Sequence, residues 1–213
     1  MKYFAGLVMV GLLLFLPAGT FLYPGAWLFV ALLFVPMFFL GLVLLIKAPE
    51  LLEKRLRSRE KESEQKSVVG VTGLLFLAAF VLSGLDFRLG CTHVPLWLQL
   101  TASGILLLSY GMYAEVMREN AYLSRTVEVQ EGQKVIDTGL YGIVRHPMYS
   151  ATVLLFLSIP LVLGSFIGFA VMLPYPVLLT MRIRNEEKVL TEGLPGYAQY
   201  CEKVRWRMIP FVW

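Results

Sequence analysis

Charge is scarce in this chain of 213 residues: 16% of them are charged and 57% are hydrophobic. A soluble domain has about 25% charged and about 45–50% apolar residues. A single soluble domain of this size cannot bury so much apolar surface, and disordered chains are still richer in charge. The composition therefore excludes an ordinary soluble domain and a disordered chain.

Cysteine and histidine are also rare, with two of each. Cys91 and Cys201 lack the spacing of metal ligands, and the topology predicted below places them on opposite sides of a membrane. His93 is expected to be a solvated loop residue. We therefore predict neither a disulfide nor a metal site.

Long uncharged blocks dominate the sequence. Residues 3–22, 26–46, 68–85 and 95–114 form blocks of 20, 21, 18 and 20 residues, and residues 148–181 form one of 34. A helix needs about 20 apolar residues to cross a bilayer core about 30 Å thick. The alternating segments of about ten residues that are typical of membrane strands do not occur. The blocks predict an all-α, polytopic membrane helix bundle.

The longest block exceeds a single span, because 34 helical residues would measure about 51 Å. Its middle contains four turn-forming residues, Pro160, Gly164, Ser165 and Gly168. We predict a tight helical hairpin over residues 147–163 and 166–183, with Pro174 and Pro176 bending the second arm. The bundle should then contain about six membrane-embedded helices, of which the last two form this hairpin.

The basic residues predict how the bundle is oriented, because Lys and Arg concentrate in cytoplasmic loops. With Lys2 inside, 18 of the 19 Lys and Arg residues fall on the cytoplasmic side, and Arg88 is the exception. We predict an integral, multi-pass protein with both termini in the cytoplasm. The mixed-charge run at residues 53–66 should be a connector near anionic headgroups. The net charge of +4 thus follows from topology, so the bilayer is the expected partner and nucleic acid is not.

Polar chemistry is concentrated in residues 115–150 and 182–213, which are both cytoplasmic in this topology. Because the apolar blocks carry no charge, the pattern disfavours an ion-coupled transporter. It favours an enzyme whose site lies at the cytoplasmic membrane face. Arg182 and Glu186 share a helical face at a spacing of four residues, although an exposed ion pair is the alternative interpretation.

Two interpretations are open for the segment around Pro147. Pro147 suits the first position of a helix, and the helix start would attract an anionic group such as a cofactor carboxylate. Alternatively the segment is an interfacial anchor, with Arg145 and His146 at the headgroups and Tyr141 and Tyr149 in the aromatic belt.

Arg145-His-Pro-Met-Tyr149, followed by Arg182-Ile-x-x-Glu-Glu187, resembles the signature of the isoprenylcysteine carboxyl methyltransferases. The wider group includes phospholipid N-methyltransferases. Gly196-Tyr-x-x-Tyr200 and the segment at 204–210 also match the tail of that family. The resemblance implies a methyltransferase core over residues 95–213, preceded at 1–94 by N-terminal membrane helices and the basic cytoplasmic connector.

The resemblance implies S-adenosylmethionine as the cofactor, bound by a cytoplasmic loop and the C-terminal tail. The implied cofactor contacts are Gln130, Gln133, Lys134, Val135, Ile136, Tyr141, His146, Pro147, Met148, Tyr149 and Glu186. Arg182 corresponds to the residue that coordinates the substrate carboxylate, so it is the expected catalytic residue.

The function implied is carboxyl methylation of an isoprenylcysteine-like acceptor that enters from the membrane. One alternative is a phospholipid or other small-molecule methyltransferase acting on nitrogen or sulfur. A second alternative is a membrane scaffold protein without enzymatic activity, which would bind no cofactor.

Overall fold

A computed structural model describes residues 2–47, 63–123 and 129–213. All regular elements in these ranges are helical, as predicted. They are α1 (Lys2–Ala18), α2 (Pro24–Lys47), α3 (Ser63–Leu89), α4 (Leu96–Glu119), a 3₁₀ turn (Gly139–Gly142), α5 (Pro147–Leu163), α6 (Phe166–Met172), α7 (Tyr175–Gly193) and α8 (Tyr197–Lys203). Most of the predicted connector at 53–66 lies outside the described residues.

Four helical segments in the described part are long and apolar enough to cross a membrane. They are Pro24–Lys47, Gly70–Leu89, Leu96–Glu119 and Phe166–Gly193. Tyr3–Ala18 and Pro147–Leu163 are shorter apolar helices. The predicted fold class, a polytopic membrane helix bundle, is confirmed, whereas the cytoplasmic placement of the termini stays a prediction.

The predicted hairpin forms between α5 and α6. Gly164 ends α5 with a φ of 85°, a left-handed conformation that glycine adopts without strain. Ser165 then caps α6, since its Oγ accepts a hydrogen bond from the Gly168 amide at 2.9 Å. The second arm breaks between Met172 and Tyr175, beside Pro174, as expected. It continues to Gly193, well beyond the predicted end at residue 183.

The core lies where α1, α2, α4 and α5 meet. Leu14, Phe29, Leu106 and Val162 are fully buried there. Gly25 at the start of α2 allows a close approach, because a Cβ atom at this position would lie 2.7 Å from the Leu163 carbonyl oxygen. This close approach packs the start of α2 against the end of α5.

Asp86, the residue directly after the uncharged block at 68–85, is a buried acid. Helix α3 continues to Leu89, so Asp86 lies inside the helix and is 2% exposed. Its carboxylate accepts hydrogen bonds from the Thr92 amide at 2.7 Å, from the Thr92 hydroxyl, and from Ser165 Oγ at 2.5 Å. The expectation that the spans carry no charge is therefore wrong at this end of α3, where the acid holds the α5–α6 turn.

We expect Asp86→Ala to lower the free energy of unfolding by about 1–3 kcal/mol, because it leaves buried donors on Thr92 and Ser165 without an acceptor. Asp86→Asn keeps one carbonyl oxygen in place and should cost less. Unfolding by SDS titration measures both variants. Equal stability of the alanine variant and the parent would show that these hydrogen bonds do not hold the turn.

Candidate functional site

An open cleft with a cavity volume of about 100 Å³ lies where α4 ends and α5 begins. Its walls come from the end of α4, the loop before α5, the start of α5, α7 and α8. The lining residues are Asn120, Tyr122, Leu123, Gln133, Lys134, Val135, Ile136, Tyr141, Arg145, His146, Met148, Tyr149, Arg182, Glu186, Leu190, Leu194, Tyr197 and Tyr200.

The end of α7 supplies one wall through its helical periodicity. Arg182, Glu186 and Leu190 recur every four residues and all line the cleft. The neighbouring stripe of Leu179, Ile183 and Glu187 is buried against the rest of the bundle. Helix α7 therefore presents Glu186 to the cleft and Glu187 to the protein interior.

Tyr149 connects the two charged residues of the cleft face. Its hydroxyl donates to Glu186 Oε2 at 2.6 Å and accepts from Arg182 Nε at 2.9 Å. Tyr149 is 4% exposed, so this chain of hydrogen bonds is largely shielded from water. The alternative of an exposed Arg182–Glu186 surface pair is wrong, because both side chains are partly buried in the cleft wall and both bond to Tyr149.

Glu187 binds three cationic or ionisable groups in the interior. Its Oε1 lies 3.0 Å from Arg145 Nε and 3.3 Å from His146 Nε2, and its Oε2 accepts a hydrogen bond from Arg207 Nε at 2.7 Å. The Arg145 contact is an ion pair whose angle does not make a hydrogen bond. The Arg145 and His146 side chains are 8% and 4% exposed. The interpretation of these two residues as a headgroup anchor is therefore wrong.

The C-terminal tail closes the back of this cluster. The amides of Arg145 and His146 donate to the carbonyl oxygens of Trp206 and Arg207 at 2.9 and 2.8 Å. Ser150 Oγ donates to the Met208 carbonyl oxygen at 2.6 Å. Pro147 begins α5 as predicted. The tail therefore binds the two amides that precede the helix.

The loop before α5 is held against α7 and α8. Val129 and Val135 pack on the apolar cluster that contains Leu194 and Tyr197. Lys203 Nζ lies 2.7 Å from Asp137 Oδ2, and this ammonium lowers the pKa of the Asp137 carboxyl. These contacts place the stretch at 133–136 along one side of the cleft.

Three tyrosines from the loop and α8, Tyr141, Tyr197 and Tyr200, also line the cleft. The Tyr200 hydroxyl donates to the Tyr141 carbonyl oxygen at 2.7 Å, and Asn120 Nδ2 donates to the Tyr141 hydroxyl at 2.9 Å. The Tyr197 hydroxyl is buried and makes no hydrogen bond to any described residue. Burial, aided by the nearby Glu187 carboxylate, raises the pKa of Tyr197, so its hydroxyl stays neutral.

The structure brings most of the predicted site residues together. Ten of the twelve line the cleft: Gln133, Lys134, Val135, Ile136, Tyr141, His146, Met148, Tyr149, Arg182 and Glu186. In the described part of the chain, Gln130 and Pro147 lie outside the cleft wall. Gln130 supports the loop, since its amide nitrogen donates to the Tyr122 carbonyl oxygen at 2.6 Å. A direct ligand contact from these two residues stays a prediction.

Several cleft residues were not predicted to contact a ligand: Asn120, Tyr122, Leu123, Arg145, Leu190, Leu194, Tyr197 and Tyr200. The motif Gly196-Tyr-x-x-Tyr200 resembles the tail of the family, but that resemblance does not assign a ligand contact to either tyrosine. Leu190 and Leu194 continue the four-residue stripe of Arg182 and Glu186, so helical spacing could have identified them.

Two comparisons with known proteins bear on this chain. A stretch of 91 residues, 41% of the chain, is 30% identical to the Delta(14)-sterol reductase TM7SF2 of Mus musculus. That stretch spans 22% of the length of the reductase, so the whole-protein activity of this relative does not carry over directly.

Residues 97–195 match the model of a protein family that is described as phospholipid methyltransferase. This stretch includes α4, the loop, α5, α6 and α7, and with them the Arg182–Tyr149–Glu186 chain of hydrogen bonds. The match does not single out the isoprenylcysteine carboxyl methyltransferases within the wider group. Over residues 97–195, this chain is a match to the phospholipid methyltransferase family.

Proposed function

We propose that this chain is an S-adenosylmethionine-dependent methyltransferase that acts on a lipophilic acceptor in the membrane. The observation that carries the proposal is the placement of Glu186. It is the single acid among the described residues that line the cleft, and the lining also contains five tyrosines, of which Tyr149 bonds to Glu186. A carboxylate beside aromatic faces favours a bound cation such as a sulfonium.

The cleft residues fit the proposed cofactor chemically. Glu186 would accept hydrogen bonds from an ammonium group, and Arg145 carries the opposite charge in the same wall. Val135, Ile136 and Leu190 offer apolar surface for a planar base. The Tyr197 hydroxyl, buried without a hydrogen-bond partner among the described residues, indicates that a ligand supplies one. When bound, the cofactor supplies an electrophilic methyl group on its sulfonium.

The role of the protein in such a transfer is to hold two reactants in line in a dry pocket. We propose that Arg182 orients an anionic acceptor, because a planar guanidinium binds a carboxylate through two parallel hydrogen bonds. Its Nε donates a hydrogen bond to the Tyr149 hydroxyl, which fixes the guanidinium in the wall of the cleft. A carboxylate is already ionised at neutral pH and needs no base. This reasoning favours carboxyl methylation of an isoprenylcysteine-like acceptor.

The family match favours a second candidate, methylation of a phospholipid. Here Arg182 would bind the phosphate of the headgroup, since guanidinium recognises phosphate as it does carboxylate. An amine acceptor must lose a proton on methylation. His146 is the nearest candidate base, with its Nδ1 3.8 Å from Glu186 Oε1.

A methyl-transfer assay with radiolabelled cofactor tests the proposal on the purified protein. A prenylated cysteine and phosphatidylethanolamine serve as parallel acceptors. Release of labelled methanol from the prenylated cysteine by base would identify a methyl ester, and label that stays on the ethanolamine headgroup after base treatment would identify an amine. Failure to transfer to either acceptor, together with failure to bind the cofactor, would contradict the proposal and favour a scaffold. Binding of a reduced nicotinamide nucleotide instead would favour a reductase, as the sterol reductase similarity suggests.

We expect the loop before α5 to become more rigid when the cofactor binds. Residues 133–136 line the cleft, yet much of the loop is exposed. Amide hydrogen exchange over residues 129–142 should slow when S-adenosylhomocysteine is added. The membrane-spanning stretch of α4 at residues 102–109 lies away from the cleft, so it is the internal control and should not change. Unchanged exchange throughout the loop under saturating ligand would contradict its role in binding.

A further inference from the structure

Tyr197 differs from the other buried tyrosines of the cleft, because its hydroxyl has no hydrogen-bond partner among the described residues. The residue is 4% exposed and lines the cleft, and its hydroxyl makes no hydrogen bond to a described residue. By contrast, the Tyr149 hydroxyl bonds to Glu186 and Arg182, and the Tyr200 hydroxyl bonds to the Tyr141 carbonyl oxygen. A buried hydroxyl without a partner costs stability, so such a group commonly meets a ligand or an ordered water.

The surroundings of this hydroxyl indicate which kind of ligand group it would meet. Tyr197 lies within electrostatic range of Glu187, and also of Glu186 and Arg145, which carry opposite charges and line the cleft. Glu187 faces the interior and pairs with Arg145, so Glu186 is the acid that faces a ligand. The two charges complement a zwitterion, with an ammonium at Glu186 and a carboxylate toward Arg145. The hydroxyl itself is neutral because its pKa is raised, so it can donate a hydrogen bond to that carboxylate.

The contacts already made near Arg145 support a role for the Tyr197 hydroxyl as a donor to that carboxylate. The amides of Arg145 and His146 already donate to the C-terminal tail. The Arg145 guanidinium is in turn partly neutralised by Glu187 at 3.0 Å. A carboxylate arriving at this corner of the cleft therefore needs a further donor, and Tyr197 is placed to provide it.

Resting on the proposed function, we propose that Tyr197 is a ligand-binding residue whose hydroxyl recognises the α-amino-acid end of the cofactor. This assigns the amino-acid end to the corner formed by α8, Glu186 and Arg145. It also explains why the tyrosine hydroxyl is buried without a partner in the protein itself.

Titration calorimetry with two probes tests this assignment on the full-length protein. S-adenosylhomocysteine carries the amino-acid end, whereas 5′-methylthioadenosine keeps the nucleoside and lacks that end. Tyr197→Phe removes only the hydroxyl, so it should weaken S-adenosylhomocysteine binding about tenfold or more. Binding of 5′-methylthioadenosine should change less than about twofold. The melting temperature without ligand should stay the same or rise, because an unpaired buried hydroxyl is lost.

Tyr23→Phe is the matched control at the opposite end of the bundle. The Tyr23 hydroxyl donates to the Leu163 carbonyl oxygen at 2.7 Å, so its loss should lower the melting temperature and leave both ligand affinities unchanged. Equal losses for both probes in Tyr197→Phe would move the contact to the nucleoside end and overturn the assignment. Unchanged binding of both probes would show that Tyr197 does not meet the ligand. If the parent protein bound neither probe, the proposed function itself would fail.

Discussion

Glu187→Gln is expected to lower the free energy of unfolding by about 3–5 kcal/mol, because it leaves buried positive charge without its counter-ion. Glu187 is 9% exposed and contacts Arg145, His146 and Arg207 within 3.3 Å. The first two precede α5, and the third belongs to the tail. Loss of this carboxylate should therefore loosen the tail from the start of α5, which can be measured by SDS titration.

Glu186→Gln is the matched control. The two acids are adjacent on α7, but the Glu186 side chain faces the cleft and the Glu187 side chain faces the protein interior. The Glu186 side chain is 26% exposed and faces the cleft. Its substitution should cost little stability and should weaken ligand binding instead. A Glu187→Gln variant that unfolds within about 1 kcal/mol of the parent would show that the cluster is not needed for folding.

Arg182→Ala is expected to reduce methyl transfer to a carboxylate acceptor by about 10²–10³-fold, the usual effect of removing a positioned donor from an active site. Affinity for S-adenosylhomocysteine should change little, because Tyr149 keeps its hydrogen bond to Glu186. Steady-state kinetics with radiolabelled cofactor, combined with calorimetry, separate the two effects.

Arg182→Lys tests whether the positive charge alone is enough or whether the planar guanidinium is needed. A lysine keeps the charge but lacks the planar fork, so it should restore little of the transfer. Full activity of the lysine variant would show that charge alone suffices. A parallel loss of transfer and cofactor affinity in Arg182→Ala would show that Arg182 and Glu186 act as one unit through Tyr149.

The sequence predicted the membrane bundle and the helical hairpin well, because apolar run length and turn-forming residues are local signals. Residues 148–181 exceed one span, and Gly164 with Ser165 forms the turn as expected. Asp86 was missed because it follows the uncharged block directly. Only the partners Thr92 and Ser165, which are distant in sequence, explain how this acid is buried.

The resemblance to a known motif predicted the residues of the candidate site, but it did not predict the hydrogen bonds and ion pairs between them. Spacing along α7 placed Arg182 and Glu186 on one face, but it could not show that Tyr149 joins them across 33 and 37 residues of chain. Likewise, the pairing of Glu187 with Arg145 depends on how α7 packs against the start of α5. Such contacts are set by tertiary packing, which local patterns do not encode.

Titration of the purified protein with S-adenosylhomocysteine tests the central claim most directly, with Glu186→Ala as the paired variant. We predict saturable binding of one ligand per chain to the parent protein. The variant should lose about 1.5–3 kcal/mol of binding free energy, because a charged hydrogen-bond acceptor is removed from a partly dry cleft. No heat of binding in the parent, or equal affinity in the two proteins, would contradict the claim that this cleft binds the cofactor through Glu186.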